Sequence, residues 1–590
     1  MRILLSFASF ILTLGLLHAE PEYPLTEDSK PQANVPKGEQ IKEVYKAKEH
    51  NSVFPGTERE YILYVPADAD RSKPLPFMVF QDGPVYNAPV VFDNLIASKA
   101  IPPMLGLFVK PGVVPATNDN ALPRYNRSYE YDSVSDHYAA FILDEMLPAL
   151  EKKHGVKFST DANDGGLVGS SSGGIAAFVA AWHRPDRFRR VYTGVGTYVG
   201  LRGGDELTTF VRKTEPKPLK IFLQDGSTDL NIYAGDWWMA NQMMERSLTW
   251  AGYEVNHAWG EGGHNHKHAS QVMPEALRWL WSDWQTSKEV KANAKAESQW
   301  KGYEIFEKES QWELVTKDRK QLFGTAHSSL VPDKDGNVVF SNGASFKNIQ
   351  PDGKITDRFP GVDIGIGQLN NASFDKEGRL VGNLPFGASH PGLVALKPDG
   401  AGDSFKVNGE HEGLAISFAG VRFVADNFSS GVFWVDDTKN DRIVYTEFDE
   451  KLEKNLVTLS PDQTLLYVSS PHSRYIGCWQ ITQDNKLQHF QRYGYLHDLD
   501  DDGAQAKGMC VDTEGRLYVA TKLGIQVFDQ AGRVNFIITT PAQPDYICFG
   551  GKDLSTLYVG CGEAIYKRPT KVHGIVSGQM APVKPEKPRL

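Results

Sequence analysis

Cysteine is scarce in this chain of 590 residues, and all four cysteines lie after residue 477. They are Cys478, Cys510, Cys548 and Cys561, and no pair has C-x-x-C spacing. The first 477 residues therefore fold without a disulfide framework. The sequence leaves two alternatives for the four thiols, a single disulfide or buried free cysteines.

An excess of basic charge is also lacking. The chain has 63 Lys and Arg against 73 Asp and Glu, which gives a net charge of −10, and no basic block stands out. Nucleic-acid binding is therefore not expected. Long apolar runs are limited to residues 3–17, which are fewer than the roughly 20 residues that a spanning helix needs. We expect no membrane span.

The N-terminal apolar run has the form of a targeting segment. Arg2 precedes it, and His18-Ala19 follows it. One positive charge, a short apolar core and a small terminal residue predict a secretory signal peptide, cleaved near Ala19. We expect residues 20–50 to form an N-terminal extension and the mature protein to be exported, either periplasmic or extracellular.

The pattern of the chain changes near residue 285. Residues 51–285 alternate between short apolar strands and amphipathic helices, which predicts a mostly parallel sheet with helices on both faces. Residues 286–304 are polar and lysine-rich and predict a linker. The final segment, 571–590, reads as a tail that is disordered at its proline- and lysine-rich end.

Residues 305–570 are all-β in character and contain a repeated unit, an acidic or polar turn followed by a short alternating strand. Six copies are recognised, and they begin at Asp333, Asp375, Ser429, Ser460, Asp512 and Gly551. A repeat of roughly 40–45 residues with several short strands is typical of a β-propeller. The count predicts six blades.

A candidate nucleophile lies in the first region. Residues 169–173 (GSSSG) fit the pattern G-x-S-x-G with Ser171 at its centre, between a short apolar strand and a small-residue helix. This context is typical of a nucleophile on a strained strand-to-helix turn. The oxyanion hole would use the backbone N–H of Ser172 and that of Gly83 or Val85, because the intervening Pro84 has none.

A serine nucleophile needs a base and an acid, which follow it in the order Asp or Glu and then His. The loop after the strand at 219–223 offers two acids, of which Asp229 is favoured and Asp225 is the alternative. Three histidines follow, and we expect His264 to be the base because glycines precede it. A metal site at His264, His266 and His268 is disfavoured, because no cluster of carboxylates or cysteines accompanies them.

These motifs resemble the enterochelin esterase and feruloyl esterase group of α/β-hydrolases, the esterase D family. The resemblance covers about residues 50–285 and depends on GSSSGG at Ser171, DGSTD at Asp229 and GEGGH at His264. It implies an α/β-hydrolase domain that hydrolyses carboxylic esters without a metal or an organic cofactor. The loop QDGP at 81–84 departs from the His-Gly pair of many members. Residues 127–132 (RSYEYD) also match, as a substrate site or as a scaffold ion-pair network.

The second region resembles the gluconolactonase and senescence-marker family of six-bladed β-propellers. The matching segments are 454–468, 506–521 and 546–560. Family members hold a divalent metal, Ca, Zn or Mg, with a Glu, an Asn and an Asp. Aligned by segment, the Asn position is Asn455, the Asp position is Lys507, and the Glu region contains His327. An ammonium group has no lone pair for a metal, so we expect a degenerate metal site.

The sequence thus predicts an exported serine esterase with an accessory propeller. Its expected substrates are acyl esters of carbohydrates, small molecules or polysaccharides. One alternative is a metal-dependent sugar lactonase centred on the propeller. A second is a non-catalytic carbohydrate-binding module, which the complete Ser-Asp-His order disfavours.

Overall fold

A computed structural model describes most of the chain. The described residues are 21–286, 297–320, 329–360, 369–383, 393–404, 411–426, 431–436, 441–445, 456–470, 473–499 and 504–587. The predicted signal segment, His327 and Asn455 lie outside them. The chain divides into two compact units, the first made of 1–208, 217–249 and 253–296, and the second of 209–216, 250–252 and 297–590.

The first unit is built on a mixed sheet with a parallel centre. Its strands are β1 Glu39–Lys46, β2 Glu58–Val65, β3 Pro74–Leu75, β4 Phe77–Gln81, β5 Leu105–Val109, β6 Val113–Val114, β7 Arg124–Tyr125, β8 Lys157–Phe158, β9 Gly165–Ser170, β10 Arg190–Gly194, β11 Lys220–Gly226, β12 Asn231–Ile232, β13 Gly235–Asp236 and β14 Glu254–Gly260. The main sheet has the order β14-β11-β10-β9-β4-β5-β2-β6-β7, with β1 paired to β2. From β14 to β5 all neighbours are parallel.

Helices connect the parallel strands. They are α1 Ala88–Ala97, α2 Arg127–Tyr131, α3 His137–Ala140, α4 Leu147–His154, α5 Ser172–His183, α6 Leu207–Lys213, α7 Trp237–Ala251 and α8 Lys267–Trp281, with a π-helical segment at Phe141–Met146 between α3 and α4. Every residue of β4, β5, β9, β10 and β11 is buried. Strands this apolar need cover on both faces, which explains their continuous hydrophobic runs.

The segment expected to be an N-terminal extension adds a strand to this sheet. Strand β1 pairs with β2 in antiparallel register, from Glu39 opposite Val65 to Lys46 opposite Glu58. Side chains of β1 alternate between exposed and half-buried, which is typical of a strand with one solvated face. Residues 39–46 therefore belong structurally to the first unit.

The second unit contains six four-stranded antiparallel sheets among the described residues. Their strands are β15 Glu313–Thr316, β16 Val331–Pro332, β17 Val338–Ser341, β18 Phe346–Ile349, β19 Ile355–Asp357, β20 Asn370–Phe374, β21 Leu380–Asn383, β22 Leu393–Leu396, β23 Gly402–Ser404, β24 His411–Ile416, β25 Arg422–Asp426, β26 Gly431–Asp436, β27 Asp441–Tyr445, β28 Leu456–Leu459, β29 Leu465–Ser469, β30 Tyr475–Ile481, β31 Leu487–Tyr495, β32 Gly508–Val511, β33 Leu517–Thr521, β34 Gly524–Phe528, β35 Val534–Ile538, β36 Tyr546–Gly550, β37 Thr556–Cys561 and β38 Ala564–Pro569.

The first strands of successive sheets form a closed ring. Strand β16 contacts β20, and the contacts continue through β24, β28 and β32 to β36, which returns to β16. Strand β15, from the start of the region, pairs with β38 and completes the last sheet. Both features describe a propeller-like arrangement in which an early strand closes the ring.

The repeated turn lies between the first and second strands of each sheet. In each of the six sheets this turn contains a residue with a positive φ, namely Gly336, Gly378, Gly420, Gln463, Gly515 and Asp553. In the turn before β17, Asp333 accepts the N–H groups of Asp335 and Asn337 on one carboxylate oxygen. The side-chain oxygen of Asp512 does the same before β33. The acidic residue is thus used to satisfy turn N–H groups.

The predicted third copy of the repeat does not correspond to the turn between the first and second strands of its sheet. Ser429 lies outside the described residues, and the strand after it, Gly431–Asp436, is the third strand of its sheet. The equivalent turn begins at Ser417, whose hydroxyl accepts the N–H of Val421. The hydroxyl of Ser417 thus takes the place of the carboxylate at Asp333 and Asp512, as the hydroxyl of Ser460 does in accepting the N–H of Leu465.

Both ends of the second region are more ordered than the sequence suggests. Trp300, in the segment expected to be a linker, is buried in a hydrophobic cluster of the second unit. Val572 and Val576, in the expected tail, belong to the same cluster. The N–H of Val583 donates to the carbonyl of Pro461. Two or three apolar residues anchor each segment, too few to produce a periodic sequence pattern.

All four cysteines lie in the described part of this unit and are free. Burial raises the pKa of the Cys478 and Cys561 thiols to about 12. These are the properties of structural thiols in a core. In the described ranges, no helix has the length and apolar character needed to cross a membrane.

Candidate active site

Ser171 lies on a sharp turn between β9 and α5. Its backbone has φ 58° and ψ −123°, a region that non-glycine residues rarely adopt. Gly169 makes this turn feasible, because a Cβ atom there would lie 1.9 Å from the carbonyl oxygen of Gly173. Strain of this kind at a strand-to-helix turn presents a serine hydroxyl at the sheet edge.

His264 bridges the serine and an aspartate. Its Nε2 is 2.8 Å from Ser171 Oγ, and its Nδ1 is 2.7 Å from Asp229 Oδ1. The Asp229 side chain is fully buried, whereas that of His264 is 21% exposed. The structure therefore brings together the three residues expected from motif order, with a nucleophile, a base and an orienting acid in hydrogen-bonded sequence.

The loops that carry the acid and the base are tied to each other. Thr228 donates its backbone N–H to the Gly262 carbonyl and its hydroxyl to the Glu261 carbonyl. Asp229 Oδ1 also accepts the N–H of Leu230 at 2.6 Å. Because β11 and β14 are parallel neighbours, both loops emerge at the same edge of the sheet. The pairing fixes the distance between Asp229 and His264.

Two further residues contact the site, and no motif indicated them. Thr197 Oγ1 lies 3.3 Å from Ser171 Oγ, and it accepts the indole N–H of Trp237 at 3.3 Å. The Trp237 ring also packs edge-on against His264, with centroids 5.8 Å apart. Trp237 thus positions both the base and the threonine that neighbours the nucleophile. Neither residue stands at a recognisable spacing from Ser171.

Of the backbone N–H groups predicted to form the oxyanion hole, only that of Ser172 is available. Ser172 is the first residue of α5, so its N–H has no acceptor within the helix and lies at the positive end of the helix dipole. Gly83 N–H instead donates to the Val109 carbonyl, and Val85 N–H donates to the Gly83 carbonyl. In this conformation, therefore, neither alternative for the second donor is directed to the nucleophile. Positive φ at Asp82 and Gly83 turns the loop back toward β5.

An ion pair between Arg127 and Asp82 lies beside the start of α5. Arg127 forms a bidentate salt bridge with Asp82, in which Nε and Nη2 each donate to a carboxylate oxygen at 2.8 Å. Asp82 Oδ2 would lie 3.0 Å from a Cβ atom at Gly173, so the carboxylate is adjacent to the start of the helix. Arg127 compensates a negative charge that would otherwise oppose an oxyanion there.

The other members of the 127–132 segment are buried in the scaffold. Glu130 and Arg59 form an ion pair at 2.7 Å in which both side chains are fully buried. Asp132 is buried as well. Of the two interpretations of this segment, the scaffold applies to Glu130, and only Arg127 lies at the candidate site.

Asp225, the alternative acid, lies at the end of β11 and is completely buried. Among the described residues, Asp229 makes a hydrogen bond to His264 and Asp225 does not. Burial, followed by a hydrogen bond to Asp229 and the charge of that residue, raises the pKa of Asp225 to about 9. These effects favour the protonated, neutral form of the Asp225 carboxyl.

His266 and His268 have separate surroundings. The His266 ring packs edge-on against Tyr86, and His268 stacks on Tyr23 with centroids 4.4 Å apart. Burial lowers the pKa of both imidazoles. Among the residues that the structure describes, no group of three or more His, Cys, Asp or Glu side chains is arranged to hold a metal.

The three positions aligned with the propeller metal site are only partly described. His327 and Asn455 lie outside the described residues. Lys507 precedes β32, and its backbone N–H donates to the Ala520 carbonyl. A lysine ammonium at a ligand position does not fit a divalent cation, since it offers hydrogen-bond donors and no lone pair.

Two family models match the chain. Residues 52–322 match the model described as putative esterase, and residues 304–562 match the SMP-30/gluconolactonase/LRE-like region. Both resemblances inferred from the motifs are thereby confirmed. The chain carries an esterase-family region followed by a gluconolactonase-like region.

Curated relatives agree with this division. An iron(III) enterobactin esterase of Dickeya dadantii (strain 3937) is 27% identical over 242 residues, which cover 38% of this chain and 52% of the relative. A gluconolactonase of Zymomonas mobilis subsp. mobilis (strain ATCC 31821 / ZM4 / CP4) is 27% identical over 129 residues, 20% of this chain and 35% of the relative. The chain thus spans about half or less of these relatives.

A solved structure also matches part of the chain. The enterobactin esterase FES from Shigella flexneri, in the presence of 2,3-di-hydroxy-N-benzoyl-glycine, is 18% identical with a TM-score of 0.33. The match covers 43% of this chain and 62% of that chain.

Proposed function

We propose that the protein is a serine carboxylic-ester hydrolase that acts through an acyl-enzyme. The observation that carries the proposal is the His264 imidazole, which stands within hydrogen-bond distance of Ser171 Oγ on one side and Asp229 Oδ1 on the other. The α/β-hydrolase fold that this mechanism requires is supported by the parallel sheet order and by the strained turn at Ser171.

In the proposed reaction, His264 Nε2 takes the proton of Ser171 as Oγ attacks the ester carbonyl carbon. The buried carboxylate of Asp229 holds the Nδ1–H tautomer and stabilises the imidazolium. The Ser172 N–H at the start of α5 stabilises the oxyanion. His264 then returns the proton to the departing alcohol, which leaves Ser171 acylated. Water, activated in the same way by His264, releases the acid and restores the serine.

The substrates that we propose are acyl esters of carbohydrates, with the propeller as an accessory six-bladed domain whose metal site is degenerate. The esterase family match supports the reaction class. The resemblance of the motifs at Ser171, Asp229 and His264 to feruloyl esterases supports the acyl and alcohol parts. We also propose that the protein is exported after removal of its first 19 residues, on the strength of the sequence pattern there.

The test is hydrolysis of a short-chain nitrophenyl ester and of methyl ferulate by the purified mature chain. We expect activity that survives EDTA and falls at least about 1,000-fold in Ser171→Ala, because removing a triad member leaves only the residual catalysis of the binding site. The matched control is Ser227→Ala, an exposed serine in the neighbouring loop, for which we expect wild-type rates.

Activity that persists in Ser171→Ala and disappears with EDTA would move the chemistry to a metal site and refute the proposal. Substrate class is tested separately by adding an acetylated polysaccharide and an enterobactin-type siderophore ester to the panel. Faster turnover of the siderophore ester than of every carbohydrate ester would overturn the proposed substrate class while leaving the serine mechanism intact.

A further inference from the structure

The loop after β11 contains a second carboxyl, that of Asp225, to which the proposed reaction gives no role. Asp225 has no exposed surface, and the Asp229 side chain has none either. The two carboxyls lie close enough for the hydrogen-bonding capacity and the charge of Asp229 to act on Asp225. Two buried carboxylates side by side repel each other strongly, and the usual outcome is that one of them keeps a proton.

The hydrogen bonds of the pair show where a donor is missing. Asp225 Oδ1 accepts the N–H of Gly226 at 2.7 Å, and Asp229 Oδ1 accepts from Leu230 and faces His264. The second oxygen of each carboxyl is buried and has no hydrogen-bond partner among the described residues. A proton on Asp225 Oδ2 would give Asp229 Oδ2 a donor and would satisfy both atoms together.

No cation is among the described groups with the largest effect on Asp225. The groups that act on it are Asp229, the Gly226 N–H and the Asn241 side chain on α7. The Asn241 Nδ2 donates to the carbonyls of Gly196 and Trp237, and its Oδ1 is a further buried acceptor.

We propose that Asp225 is a protonated positioning residue, which donates a hydrogen bond to Asp229 Oδ2 and thereby holds Asp229 Oδ1 toward His264. Asp225 contacts neither substrate nor the reacting atoms. Its kinetic consequence depends on the proposed function, because it acts only through Asp229 and His264.

The proposal has a defined pH dependence. Since burial and Asp229 raise the pKa of Asp225 above its usual value, the neutral form is the one that the folded protein favours. Because the folded-state pKa lies above the unfolded value of 3.8, the contribution of Asp225 to stability is complete below pH 3.8, decreases as the pH rises from 3.8 to about 9, and is absent above that. Deprotonation would then place two negative charges together, displace Asp229 and misorient His264, so kcat should fall on the alkaline side.

The experiment compares two variants in the full chain. Asp225→Asn keeps a donor and cannot ionise, whereas Asp225→Leu has similar volume and no donor. With a nitrophenyl ester, we expect Asp225→Asn to retain most of kcat and to lose the alkaline decline. Asp225→Leu should lower kcat by about tenfold or more with little change in KM. Equal impairment of both variants, or an unchanged alkaline decline in Asp225→Asn, would overturn the proposal.

Thermal unfolding separates this proposal from the proposed function. The midpoint of wild type should fall relative to that of Asp225→Asn as the pH rises from 3.8 to about 9 and should level off above that, whether or not the protein hydrolyses esters. A midpoint difference that is independent of pH would refute the protonated state of Asp225. Loss of the Ser171 dependence of hydrolysis, with the midpoint difference intact, would refute the enzyme mechanism alone.

Discussion

Glu130→Gln should destabilise the first unit strongly while leaving the candidate site intact. The Glu130 carboxylate accepts from Arg59 Nη1 at 2.7 Å, from Arg59 Nη2 at 3.1 Å and from the N–H of Gly112 at 3.2 Å. The Arg59 guanidinium also lies 4.0 Å from the centre of the Phe141 ring. Both charged side chains are fully buried, so the amide would leave an uncompensated cation in the interior.

Breaking a buried pair in this way costs about 3–5 kcal/mol. That is a large part of the roughly 5–15 kcal/mol that stabilises an average domain. The assay is calorimetric unfolding at neutral pH, with the transition of the first unit followed separately from that of the propeller region. KM and kcat measured on the folded variant should remain at wild-type values, because Glu130 lies in the scaffold and not at the site.

The matched control is Glu60→Gln on the same strand as Arg59. Glu60 pairs with Lys110 at 2.7 Å, but both side chains are about half exposed. We expect no measurable change in stability, since solvent screens such a pair. A similarly small effect for Glu130→Gln would refute the buried pair, and a selective rise in KM would restore a substrate role for Glu130.

Three further outcomes follow from the site. Arg127→Met should lower kcat/KM by about tenfold, measured as initial rates, because it removes the cation that offsets a carboxylate near the start of α5. Thr197→Val should lower kcat by about 2–10-fold in the same assay, since it deletes one hydrogen bond to the Ser171 hydroxyl. Gly169→Ala should prevent soluble folding, judged by gel filtration and circular dichroism, because its Cβ would overlap the Gly173 carbonyl. Wild-type kinetics in either of the first two variants, or a well-folded Gly169→Ala protein, would contradict the corresponding geometry.

Much of the candidate site could be predicted because its main residues belong to local sequence motifs. The turn at Ser171 needs small neighbours, and the acid and base follow in a fixed order along the chain. The choice of Asp229 over Asp225 was a matter of distance from the strand end. The structure adds the physical reason, since only Asp229 lies within hydrogen-bond distance of His264.

What the sequence missed depends on contacts between distant segments. Thr197 lies beside Ser171 and is contacted by Trp237, which comes from a different loop of the chain. Neither residue is part of a local motif. The N–H of Gly83 is engaged with Val109 on a neighbouring strand, which the sequence QDGP does not reveal. In each case the deciding partner is a backbone or side-chain group far away in the chain.

In the propeller region, one copy of a local pattern is predicted at the wrong position. Five of the six turns between first and second strands are predicted from an acidic or polar turn before an alternating strand, but the third is predicted at Ser429 instead of Ser417. A polar residue followed by an alternating apolar segment occurs twice in this part of the sequence, at Ser417 and at Ser429, and the pattern alone does not distinguish them. The order of strands within the sheet does.

The central claim, that Ser171 is acylated with the help of His264, is tested most directly by covalent labelling. The full chain is treated with a fluorophosphonate, its intact mass is measured, and the labelled peptide is sequenced. We predict one label per chain, located on Ser171, with hydrolysis lost in proportion to labelling and labelling greatly slowed in His264→Ala. A label on another residue, or full esterase activity in a chain labelled at Ser171, would contradict the account.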